Sequence, residues 1–130
     1  MEYNPVHKLM LFGAGDARDR ANPNLNVLNK DGYVTQLKPP PIHVNCTPTS
    51  KWMCDPVSGE YIGKGVRDER VFAFHPVRDQ WKEIPGLRLP DGESLGVSID
   101  TYGVMMLLVR SKDRGFRCYV YKHKPVFSKK

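Results

Sequence analysis

Four histidines, His7, His43, His75 and His123, are the side chains of this 130-residue sequence best suited to metal binding or to acid–base work near neutral pH. No two of them stand at ligand spacing on a shared element, and His7 and His75 fall in or beside turn signals, so solvated turn histidines are expected. Asp16, Asp19 and Asn22 offer oxygen ligands of the kind calcium takes. Their spacing misses the EF-hand loop, however, and Arg18 and Arg20 bring positive charge to the same stretch. The three cysteines, Cys46, Cys54 and Cys118, are odd in number and contain no C-x-x-C pair, which indicates neither a zinc site nor a disulfide framework. They are expected to be buried free thiols, because cysteine packs as a small apolar residue, with a Cys46–Cys54 pair the alternative in an oxidising compartment. Ser58, Ser94, Ser98 and Cys54 lack the local signature of a nucleophile elbow or an activated thiol. Gly13-Ala14-Gly15 and Gly63-Lys64-Gly65 open no helix whose N-terminus would hold a phosphate. The residue inventory therefore points away from an enzyme and calls for no cofactor and no metal.

One gradient of charge remains. The chain carries a net charge of +6, and the excess lies from residue 110 onward, where Arg110, Lys112, Arg114, Arg117, Lys122, Lys124, Lys129 and Lys130 face the single acid Asp113. Phe116, Tyr119, Tyr121 and Phe127 are interleaved with these cations, a pattern found on nucleic-acid-binding surfaces. Lys112, Arg114, Arg117, Lys122 and Lys124 are the candidate anion-binding residues. The simpler expectation is that the aromatics point into a sheet while the cations solvate an edge strand and keep it from pairing indiscriminately.

The elements that position these residues form a repeat. Eleven Gly and eleven Pro are spread between short apolar runs, which predicts many turns and short strands. Three segments begin alike, with an apolar residue, an Asn or Asp, and a turn: Tyr3-Asn4-Pro5-Val6-His7-Lys8, Cys54-Asp55-Pro56-Val57-Ser58-Gly59 and Ile99-Asp100-Thr101-Tyr102-Gly103. Each is followed by a run suited to a buried strand: Leu9 to Phe12, Glu60 to Gly63, and Val104 to Val109. A polar loop then leads to a hairpin: Leu25 to Leu28 with Tyr33 to Leu37, Val71 to Phe74 with Gln80 to Ile84, and Cys118 to Tyr121 with Val126-Phe127. Val34, Trp81 and Phe127 stand at equivalent places 47 and 46 residues apart. A period of that size marks a repeat architecture. The extra residues before Asp55 fall in the connection from Pro39 to Ser50, and Val66 to Arg70 offers at most one helical turn.

An Asn or Asp turn, an apolar strand ending near glycines, and the aromatic hairpin Val71-Phe72-Ala73-Phe74-His75-Pro76-Val77-Arg78-Asp79-Gln80-Trp81 together resemble kelch repeats, in particular the looser propeller blades of the galactose-oxidase type. The first two units carry the resemblance best; the kelch double glycine is interrupted in both and missing from the third. The resemblance implies an all-β single domain over 1–130, made of three four-stranded antiparallel propeller-type blades, about 1–40, 41–87 and 94–130. Phe12, Val34, Trp81 and Phe127 would then seal the packing between blades. It carries over no catalytic residue, since the Tyr, His and Cys set of a copper oxidase does not align. Three blades are half of a six-bladed ring, and unclosed blades leave apolar faces open, so a homodimer that completes the ring is expected. A piece of a longer propeller, or another closed form such as a barrel or sandwich, is the competing expectation. The functional expectation is a non-enzymatic scaffold that binds a protein or small ligand, with an anion or nucleic-acid binder as the alternative. Without a signal-peptide pattern or a membrane-length apolar run, a cytoplasmic location is expected.

Overall fold

The computed structural model describes residues 2–13, 24–43, 52–65, 69–90, 92–110, 113 and 115–127. Among them the protein is all-β: eleven strands form three antiparallel sheets, each a simple meander. Sheet 1 holds β1 (Glu2–Asn4), β2 (Leu9–Gly13), β3 (Leu25–Asn29) and β4 (Val34–Gln36). Sheet 2 holds β5 (Met53–Cys54), β6 (Tyr61–Lys64), β7 (Val71–His75) and β8 (Gln80–Glu83). Sheet 3 holds β9 (Ser94–Ile99), β10 (Val104–Arg110) and β11 (Phe116–Tyr121). The expected fourth strand of the third unit does not form: Val126 and Phe127 lie in a bend. Their backbone N–H groups are bonded to the Glu60 carboxylate of sheet 2, so they cannot also serve a ladder on sheet 3.

The opening turns show how local chemistry sets the repeat. Asn4 Oδ1 accepts the His7 N–H at 3.0 Å, and Asp55 Oδ2 accepts the Ser58 N–H at 2.7 Å. Such side-chain bonds to the backbone replace the first ladder bond of a hairpin. In each of the three turns one residue has positive φ: Lys8 (53°), Gly59 (73°) and Gly103 (61°). Counting back four positions from each gives Asn4, Asp55 and Ile99. The strand pairs Tyr3↔Met10, Cys54↔Tyr61 and Ser98↔Met105 give the same alignment. Ile99, and not Asp100 as the sequence suggests, is thus the counterpart of Asn4 and Asp55. Ile99 has no side-chain acceptor, so its turn is closed by the backbone through a 3-10 turn at Asp100–Tyr102, with the Gly103 N–H bonded to Asp100 O at 3.1 Å.

The sheets stack face to face with sheet 2 in the middle. Leu11, Leu25, Leu37 and Ile42 meet Cys54, Tyr61, Phe72 and Phe74 in one core, with Trp52 and Trp81 packed against it. The other side of sheet 2, with Met53, Ile62, Val71 and Ala73, meets Met105, Leu107 and Val109 in a second core, flanked by Tyr121, Val126 and Phe127. β7 is consequently buried on both faces from Val71 to Phe74, whereas β10 alternates buried and half-buried residues. A strand covered on both sides has no polar face.

At one edge the first strands converge, with β5 lying against both β1 and β9. Among the described residues β5 has no ladder partner on its outer side, and neighbouring side chains bond to it there. Glu2 Oε1 accepts the Cys54 N–H at 2.8 Å, and Ser98 Oγ donates to the Cys54 carbonyl. The turns are in register too: a Cβ on Gly59 would meet His7 Cδ2 at 2.6 Å, and one on Gly103 would meet Val57 Cγ2 at 2.9 Å. The first turn nests on the glycine of the second, and the second on the glycine of the third.

Candidate functional site

The densest group of chemically capable side chains lies between sheets 2 and 3. Glu60 directly precedes β6, and its side chain is 1% exposed. His123 follows β11 and is fully enclosed, with its Nε2 2.8 Å from Glu60 Oε2. The N–H groups of Val126 and Phe127 each donate to Glu60, at 3.1 Å. The Tyr121 hydroxyl lies 3.2 Å from His123 Nδ1. The Tyr121 hydroxyl, the His123 ring and the Glu60 carboxylate thus lie in one hydrogen-bonded line.

That order of hydroxyl, imidazole and carboxylate is the order of a nucleophile activated by a base. The surroundings give it a different role. The carboxylate is filled by one imidazole and two backbone donors, and neither it nor the imidazole meets solvent. Burial, helped by the negative charges of Asp55 and Glu60, pushes the Tyr121 hydroxyl above its ordinary range, which makes it harder to ionise. The arrangement is a latch that fixes residues 122–127 across the second core, and Lys82 adds a bond from Nζ to the Val126 carbonyl at 3.3 Å.

His7 and His75 sit beside this latch at the junction of sheets 1 and 2, with ring centroids 5.0 Å apart. His75 also meets the Phe127 ring edge-on at 5.6 Å. Burial lowers the pKa of both; for His75 the neighbouring His7 and Arg78 lower it further. The expectation of solvated turn histidines is therefore corrected: His123 is buried, and His7, His43 and His75 are half-buried. Among the described residues no group of three His, Cys, Asp or Glu side chains converges as a metal site. Asp16, Asp19, Asn22 and Cys46 lie outside the described residues. Cys54 is buried, and its thiol is pushed up by that burial, so it is inert. Cys118 is exposed, contrary to the expectation that all the thiols are buried.

The residues expected between blades divide into two pairs. Trp81 stacks on Phe74 at 4.4 Å and meets Trp52 edge-on at 5.4 Å in the first core, while Phe127 borders the second core. Phe12 and Val34 lie instead on the open side of sheet 1. The register places Tyr3, Met10, Leu28 and Val34 in one row across all four strands, and Tyr3 and Val34 are 56% and 59% exposed. The opposite end of the stack has the same character: Leu95, Val97, Met106, Leu108, Cys118 and Val120 share the open face of sheet 3, with Leu95 61% and Val120 65% exposed.

Of the candidate anion-binding residues, Arg117, Lys122 and Lys124 are exposed along and just beyond β11, and Lys112 and Arg114 lie outside the described residues. The aromatics of β11 are not all turned inward as the simpler expectation has it. Phe116 is 68% exposed, and only Tyr121 packs against a core. Among the described residues no helix is long and apolar enough to cross a membrane. No protein-family model, curated protein or solved structure matches the chain, so its architecture and side chains carry the functional reading.

Proposed function

We propose that this protein is a non-enzymatic interaction scaffold built of propeller-type blades of the kelch and galactose-oxidase kind, and that two copies join to complete a six-bladed ring. The observation that carries this reading is the row Tyr3-Met10-Leu28-Val34. Its counterpart on sheet 2 is Cys54-Tyr61-Phe74-Trp81, the row that packs into sheet 1. On sheet 3 it is Ser98, Met105 and Tyr121, which face sheet 2. In sheets 2 and 3 the row meets the preceding sheet; among the described residues no sheet covers the row of sheet 1. Sheet 3 offers the complementary open face. The same stacking step, repeated from sheet 3 of one copy to sheet 1 of another and back again, is a two-fold contact that closes. Six blades fall within the range of about four to eight in which such rings close.

The convergence of β1, β5 and β9 at one edge supports a radial arrangement, with first strands towards an axis. The Glu60–His123 latch offers no accessible chemistry, so the role that fits best is holding a protein or small ligand at the mouth of the ring or on its loops. Sedimentation equilibrium at micromolar concentration tests the assembly. The expected mass is twice that of one chain, and a compact, stable monomer would overturn the reading.

A further inference from the structure

Sheets 1 and 2 each protect their third strand with a fourth, β4 on β3 and β8 on β7. Sheet 3 does not. Its third strand, β11, is paired along its whole length with β10 on one side, and among the described residues no strand pairs with the other. The chain that would have supplied one leaves the sheet after Tyr121 and is held on sheet 2 by the Glu60 latch. Among the described residues this leaves an edge six residues long with no strand partner, a template for pairing with another chain.

The charge along that edge selects what can pair. Arg117 is exposed on β11, and Lys122 and Lys124 are exposed beyond it. Two copies of β11 set side by side would bring like charges together, which disfavours self-pairing at this edge. Opposite charge is favoured both at encounter and across the strands. Successive residues of a strand point to opposite faces. Arg117 and Tyr119 lie on one face of β11, Cys118 and Val120 on the other. We propose that the free edge of β11 is a docking site for an extended, acidic segment of another protein, which joins sheet 3 as its fourth strand with its carboxylates on the Arg117 side and apolar residues on the Val120 side. This site uses the backbone edge of the sheet, its Val120 side borders the open face of sheet 3, and docking there does not require two copies to associate.

The test uses the full chain and a labelled peptide of alternating Glu and Val, read by fluorescence anisotropy and by amide hydrogen exchange. Three results are expected: salt-sensitive binding, slowed exchange at those amides of residues 116–121 that point away from β10, and weaker binding to Arg117→Glu, whose exposed position leaves the fold intact by circular dichroism. A peptide N-methylated on the edge facing the protein loses its ladder bonds and is expected to bind at least about tenfold more weakly. Equal affinity of the N-methylated peptide would overturn the proposal. So would equal affinity of a Lys–Val peptide, or binding without protection of residues 116–121. A single-stranded oligonucleotide that displaces the peptide while leaving β11 amides unprotected would also overturn it, and would make the basic edge a polyanion site instead.

Discussion

Glu60 shows what one residue does here and how far it was visible beforehand. A carboxylate placed in the run Glu60-Tyr61-Ile62-Gly63, otherwise suited to a buried strand, is a warning in the sequence, because a buried charge requires partners. The partners themselves were not legible: His123 is 63 residues away, and the remaining donors are backbone N–H groups. Glu60→Gln keeps the shape but turns an amide N–H toward one of the three donors, with an expected cost of about 1–3 kcal/mol for an unsatisfied buried group. Urea unfolding monitored by tryptophan fluorescence measures it, and the double variant with His123→Ala should cost less than the two single changes added, because both break the same latch. His7 and His75 set a separate pH response. Their folded pKa values lie below the ordinary 6.5, so the unfolded chain binds their protons first. Stability is then intact above about pH 6.5 and declines as pH falls through the lowered folded values. Glu2, raised by burial, acts in the opposite sense at pH values nearer the carboxylate range. Melting temperatures measured between about pH 7.5 and 5.5 should fall on acidification. His75→Asn should flatten that slope, because it removes one of the two titrating rings while keeping a turn acceptor, as Asn29 is at the corresponding place in sheet 1.

At the scale of elements, the hairpins were legible because their turns rest on residue types with a local mechanism. Asn4, Asp55 and Asn29 accept backbone N–H bonds, and the short connections leave little choice of register. The third opening turn misled for the same reason: Asp100 looks like the required acceptor, but the backbone closes the turn one residue earlier in register. Lys8 is the other departure, a residue with a Cβ held at φ 53° where the corresponding residues are Gly59 and Gly103. The left-handed region costs such a residue roughly 1–2 kcal/mol, partly offset because glycine gives the unfolded chain more freedom. Lys8→Gly is therefore expected to stabilise by about 0.5 kcal/mol. Gly59→Ala is expected to destabilise by more than that, since its Cβ would lie 2.6 Å from His7. Thermal unfolding of the two variants should shift in opposite directions. The missing fourth strand of sheet 3 was not legible, because Val126-Phe127 has the composition of a strand and only the distant Glu60 diverts it.

For the whole molecule, strand composition alone cannot tell a covered sheet from an uncovered one. Leu9 to Phe12 and Val104 to Val109 are as apolar in sequence as Val71 to Phe74, yet only the β7 run is buried on both sides. Their apolar character suits strands covered on both faces, and in one copy they are covered on one. This difference makes the assembly testable through side chains that no intramolecular core needs. Leu28→Asp, half-buried on the open row of sheet 1, should lower the unfolding free energy of a single chain by only about 1 kcal/mol. In the ring it would bury an unpaired carboxylate, and the sedimenting species should fall to single-chain mass. Trp81→Ala, at the place in sheet 2 that corresponds to Val34 but packed against the first core, should instead cost about 3–5 kcal/mol in any state of assembly. Cys118 supplies a readout that needs no substitution, because it is exposed on the open face of sheet 3 opposite Leu108. If copies stack there, its alkylation, followed by peptide mass spectrometry, should slow as protein concentration rises through the association range, and Leu28→Asp should abolish that dependence. A labelling rate that is independent of concentration in both proteins would mean that the two open faces do not meet.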